Sequence, residues 1–149
     1  MAGYSGKPLF EKLGLKIGQR AFVCNAPEDY HSELEPLKSS IDLKSRLKGP
    51  LDFIHFFSTS KGELEQRLPK LKQELDHSGC VWVSWPKKSS GVATDLTENL
   101  VRDLALSCGL VDVKVCAVDE TWSGLKLVYR LKDRKLSSAT FPNGRESIQ

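Results

Sequence analysis

The sequence has few of the features that would assign it a chemistry at once. No apolar run among its 149 residues approaches the roughly 20 needed to span a bilayer, so a membrane role is not expected. Its cysteines, Cys24, Cys80, Cys108 and Cys116, include no C-x-x-C pair, which leaves zinc-ribbon and thioredoxin-type readings without support. No metal site is expected. The G-x-x-x-x-G-K-[ST] spacing of a P-loop is missing. An excess of one charge is missing too: 22 basic residues against 19 acidic give +3, too mild to point to nucleic acid. The first residues, Met1 to Lys7, have no apolar signal-peptide core behind them, and Ala2 stands where myristoylation needs glycine. A cytoplasmic protein with reduced, buried thiols is the expectation.

What is present reads as an α/β protein. Hydrophobic content of 40% and charged content of 28% are ordinary for a globular chain. The length fits one domain over 1–131, with a polar segment over 132–149 expected to be a flexible tail. Pro8 to Leu13 reads as a short helix stopped by Gly14. Arg20 to Cys24 is an apolar first strand, and Glu28 to Leu37 a short irregular helix. Ile41 to Leu43 alternates like a brief strand. Leu51 to Phe57 is the strongest strand pattern, aromatic and branched over its whole length. Ser60 then opens a helix, with Glu63 as capping-box partner and Leu64, Leu68, Leu71 and Leu75 on one stripe; Pro69 should kink or shorten it. Ser78-Gly79 closes that unit and Cys80 to Trp85 is the next strand. Asp95 is a candidate N-cap, with Glu98 as its partner, for a helix ended by Gly109. Two strands follow, near Val111 to Val118 and Leu125 to Leu131, with no helix between them. The expected architecture is therefore an abbreviated Rossmann-like sheet, mostly parallel, with helices on both faces and a C-terminal antiparallel hairpin.

In such sheets ligands bind beyond the carboxyl ends of the parallel strands. That rule gathers Asn25-Ala26-Pro27, Ser58-Thr59-Ser60, the basic loop Trp85 to Ser90, and Asp119 to Ser123 at one end. The candidate ligand-binding residues are Ser58, Thr59, Trp85, Lys87, Lys88, Ser89, Ser90, Asp119, Glu120 and Trp122. Lys87, Lys88, Ser89 and Ser90 suit a phosphate or carboxylate cradle, or simply a solvated loop. Asp119 and Glu120 have the chemistry of a general base or a metal ligand, or of a turn-forming Asp beside an exposed Glu. Trp122 either covers a ligand or pins the hairpin to the core. His55, between Ile54 and Phe56, reads as a packed, hydrogen-bonded histidine. No catalytic residue stands out.

Several stretches carry a resemblance. Gly6-Lys7-Pro8-Leu9, Lys12-Leu13-Gly14-Leu15-Lys16, Gly49-Pro50-Leu51-Asp52, the run from Trp82 to Leu96 and the run from Val118 to Lys126 look like a family of short bacterial proteins catalogued as a domain of unknown function. This resemblance implies a small cytoplasmic bacterial protein with a Rossmann-like sheet, and no activity. More distantly, the element order resembles class I S-adenosylmethionine-dependent methyltransferases. Those enzymes place a glycine-rich turn after the first strand and an acidic residue at the end of the second. Here the turn is Asn25-Ala26-Pro27-Glu28-Asp29, without glycine, and the second strand offers only Asp42. Two functions follow as expectations. One is a binding module for a small anionic ligand or a protein partner; the other is a methyltransferase with an atypical cofactor loop. Nucleic acid is disfavoured, and the cofactor is left open.

Overall fold

The computed structural model describes residues 7–133. Six strands form one sheet in the order β2-β1-β3-β4-β6-β5. They are β1 (Arg20–Cys24), β2 (Asp42–Lys44), β3 (Leu51–Phe57), β4 (Leu75–Pro86), β5 (Leu110–Ala117) and β6 (Trp122–Tyr129). Strands β2, β1, β3 and β4 run parallel. β6 is antiparallel to both β4 and β5, so the expected hairpin is present and inserts its second strand inside the edge.

Four helices cover the sheet: α1 (Leu9–Leu13), α2 (Glu28–Leu34), α3 (Lys61–Glu74) and α4 (Glu98–Ser107). The strand pleat sorts side chains between two cores. Phe53, Phe57 and Trp82 join Leu9, Leu13, Tyr30 and Leu34 beneath α1 and α2. Ile54, Phe56, Val81 and Val83 join Leu64, Leu68, Leu71 and Val101 beneath α3 and α4. β3 and β4 are apolar almost throughout because both of their faces are covered. The α3 leucines are at most 1% exposed, and each contributes about 1.5–3 kcal/mol by burial. Trp82 Nε1 donates to the Leu13 carbonyl at 2.8 Å, fastening α1 to its face. Gly14, at φ 75°, ends α1 in the left-handed region that its sequence position suggested.

Several local expectations need correction. Pro69 neither shortens nor ends α3, which continues to Glu74. β4 begins at Leu75, so Ser78-Gly79 lies inside the strand. The N-cap of α4 is Thr97, whose Oγ1 accepts from Leu100 N at 3.2 Å. Asp95 instead accepts from Lys61 N at 2.8 Å and caps α3 from a distance. Ser60 Oγ accepts from Glu63 N as expected, but the Glu63 carboxylate turns to Ser58. The expected tail lies outside the described residues, apart from Lys132 and Asp133 in a closing 3-10 turn. Among the described residues no helix is long and apolar enough to cross a membrane.

Candidate functional site

The four loops gathered by the sequence rule do emerge side by side. Asn25 Nδ2 donates to the Phe57 carbonyl at 3.2 Å. Ser58 N donates to the Ser84 carbonyl at 3.0 Å, and Lys87 N to the Thr121 carbonyl at 2.8 Å. Their side chains, however, divide into three groups.

The first group sits between β1 and β3, where the strand order reverses. In open α/β sheets that switch point is the place of the ligand crevice. Here Asn25, in the left-handed region at φ 62°, sends Nδ2 to Glu63 Oε2 at 3.3 Å as well as to the Phe57 carbonyl. Ser58 Oγ, almost fully buried, donates to Glu63 Oε1 at 2.7 Å and accepts from Ser60 N. The chain's own polar groups thus bridge the crevice. Beside them Arg67 Nη2 lies 3.7 Å from Cys24 Sγ.

The second group is the basic loop. Lys88, Ser89 and Ser90 form a 3-10 turn ended by Gly91. Ser90 Oγ donates to the Lys87 carbonyl at 2.6 Å and accepts from Val92 N. Thr94 Oγ1 reaches back to the Thr59 carbonyl at 2.7 Å, and Asp95 to α3, so the loop straps the exit of β3. Lys88 and Ser89 are exposed. Trp85 belongs to neither loop nor ligand surface: it is 6% exposed in the core beneath α3 and α4.

The third group lines a cleft of about 330 Å³ between α1, α2 and the turn joining β5 to β6. Asp119 and Glu120 are there, with Val118 and Thr121. Asp119 Oδ1 accepts from Thr121 N at 2.8 Å and Trp122 N at 2.7 Å, the turn-forming arrangement among its possible roles. Trp122 meets Phe57 edge to face at 5.2 Å and packs against the α1/α2 core, which is the pinning role. Ser58, Thr59, Trp85, Lys87, Lys88, Ser89, Ser90 and Trp122 do not line this cleft.

Lys7, Leu9, Lys12, Asp29, Tyr30 and Glu33 do line it, and the sequence rule, which looks only at strand ends, did not select them. A signal existed: Asp29 and Glu33 lie four apart on α2, beside the buried pair Tyr30 and Leu34. Lys12 Nζ donates to the Ala117 carbonyl at 2.7 Å, tying α1 to the end of β5. Tyr30, 2% exposed, forms the cleft floor. Its hydroxyl is 2.8 Å from His55 Nδ1, and His55 Nε2 is 2.8 Å from Ser84 Oγ. Complete burial pushes His55 down to about 3 and raises Tyr30 well above its usual range, so both are neutral. Among the described residues no cluster of three or more His, Cys, Asp or Glu could hold a metal ion.

Residues 49–131, more than half of the chain, match a family described as "Protein of unknown function (DUF3052)". The chain belongs to that family. No curated protein sequence matches it. Among solved structures it is similar to a SAM-dependent methyltransferase from Aquifex aeolicus, with 13% identity and a TM-score of 0.60 over 80% of this chain and 86% of that one. It is also similar to magnesium protoporphyrin IX methyltransferase from Synechocystis PCC 6803, with 12% identity and a TM-score of 0.57 over 80% and 78%. A TehB-like methyltransferase from Corynebacterium glutamicum shows 9% identity and a TM-score of 0.55 over 87% and 91%. At such identities the likeness concerns fold alone: this family member has a methyltransferase-like α/β sheet.

The residues present do not fit the cofactor that this fold suggests. Close backbone approach after β1 is denied by Asn25-Ala26-Pro27, whose first side chain is tied across the crevice. Asp42 opens β2 rather than ending it; it pairs in register with Arg20, the first residue of β1, and its carboxylate binds Lys44. It therefore lies away from the binding end.

Proposed function

We propose that this protein uses a methyltransferase-like fold as a binding module, holding a small charged ligand, or a charged group of a protein partner, in the cleft beneath α1 and α2. The carrying observation is the Asn25–Glu63–Ser58 bridge. It spans the switch-point crevice with protein groups, while the neighbouring cleft offers a concave surface beside the turn that follows β5. That cleft has apolar walls, Leu9 and Val118, and convergent polar groups, the usual make-up of a ligand site. Its charges refine the expected anion. Lys7 and Lys12 suit an anionic group, while Asp29, Glu33 and Glu120 suit a cationic one, so the ligand carries both signs. The second reading, a methyltransferase with an atypical cofactor loop, is supported by the fold likeness.

The test is a thermal-stability screen of zwitterionic and anionic metabolites, repeated on Glu33→Lys with Glu120→Lys. A ligand at a hundred times its dissociation constant should add about 2.7 kcal/mol to stability. The expected result is stabilisation of the wild type and its loss in the double variant. Both substituted residues are exposed, so the fold should persist. Stabilisation that survives both substitutions would move the ligand elsewhere.

A further inference from the structure

A second concavity, sharing no lining residue with the first, lies at the β2 edge of the sheet. It follows the short β2 edge and the amino-terminal ends of β1 and β3, with a volume of about 360 Å³. Its lining is Arg20, Lys44, Ser45, Arg46, Lys48, Gly49 and Pro50: four cations, one hydroxyl and no carboxylate. The loop that presents them is held in place. Gly49 N donates to Glu74 Oε1 at 2.7 Å, and a Cβ at Gly49 would run into the Glu74 backbone. Lys48 N donates to the Arg46 carbonyl at 3.0 Å. Arg20 is fixed as well: Nε and Nη2 grip the two Asp52 oxygens at 2.9 and 2.8 Å, leaving Nη1 outside that pair. Lys44 is paired with Asp42 at 2.8 Å, but both side chains are well exposed and such pairs hold weakly. Arg46 and Lys48 are exposed.

We propose that this basic cleft binds a small, multiply charged phosphate compound, with Arg46 and Lys48 as its main contacts and Arg20 as a fixed donor at its base. Guanidinium forks match phosphate oxygens in planar geometry, and lysine adds a mobile point charge. An open, shallow concavity on a strand edge suits a compact polyphosphate better than a ligand needing apolar enclosure. The site is independent of the cleft beneath α1 and α2.

Calorimetric titration with tripolyphosphate at low salt tests the assignment. Saturable binding that weakens as salt rises is expected for the wild type. Arg46→Glu with Lys48→Glu should weaken it at least about tenfold, since two charge-assisted contacts become repulsive. The same charge change on α3, Lys61→Glu with Lys70→Glu, should leave the affinity nearly unchanged. Circular dichroism monitors folding, and the milder Arg46→Ala with Lys48→Ala should still weaken binding if the reversed variant is unfolded. Absence of heat with tripolyphosphate would overturn the proposal. So would equal losses in the two reversed variants, or binding only to vesicles containing phosphatidylinositol phosphates, which would assign the basic surface to membrane headgroups.

Discussion

His55 stands at the centre of the sheet, wholly enclosed, with both ring nitrogens engaged and its ring stacked on Phe57 at 4.2 Å. An imidazolium in that place would lose its hydration without gaining a counter-charge, which is why its affinity for a proton falls so far. The unfolded chain takes up this proton near pH 6.5, whereas the folded chain resists it down to about 3. His55 therefore adds nothing to pH dependence above about 6.5 and withdraws stability as pH falls between these values, by several kcal/mol at the acid end. Asp52 works in the same direction, over a lower range. Its hydrogen bond from Arg20 holds its carboxyl below the usual value, and the stability this confers is lost as Asp52 is protonated. Denaturant midpoints measured from pH 7 to pH 4 should fall steadily, and His55→Phe should flatten the fall above the carboxylate range. Tyr30→Phe, which strips His55 Nδ1 of its partner, should cost about 1–3 kcal/mol at pH 7. An unchanged midpoint in Tyr30→Phe would mean that the hydroxyl contact carries no stability.

Among the elements, α3 tests how local signals compete with packing. Its proline removes one backbone donor and crowds the preceding turn, yet Leu64, Leu68 and Leu71 anchor the helix on both sides of it. Burial outweighs the local penalty, and the helix runs on. Pro69→Ala should accordingly raise stability by about 1–3 kcal/mol, partly offset by a more flexible unfolded chain, as read from urea midpoints. A loss of stability would show that the proline ring makes packing contributions of its own. The caps illustrate what sequence spacing conveys. Ser60 was legible because its partner, the Glu63 amide, is three residues away. Asp95 misled because its partner, the Lys61 amide, is 34 residues away across a fold contact that spacing does not record. The strand–helix alternation and the helix-free final hairpin were readable for a similar reason: pleat and helical period are written in neighbouring residues.

For the whole molecule, the rule that ligands meet the sheet at its strand ends gathered loops that do emerge together, those of Asn25, Ser58, Lys87 and Asp119. It did not resolve which face each side chain takes. Trp85 alternates into the α3/α4 core, while Asp119 and Glu120 turn toward α1 and α2. The side of the cleft formed by Lys7, Leu9, Lys12, Asp29, Tyr30 and Glu33 depends on how two short helices dock, with Trp82 fastening the first. The central claim is that a methyltransferase-like sheet has had its switch-point crevice closed by Asn25, Ser58 and Glu63. Isothermal titration calorimetry of the wild-type protein with S-adenosylmethionine and S-adenosylhomocysteine addresses it directly. The account predicts no binding heat at about 100 μM cofactor, a concentration within the usual range of Michaelis constants. Saturable micromolar binding of either compound would contradict it and return the protein to the methyltransferases.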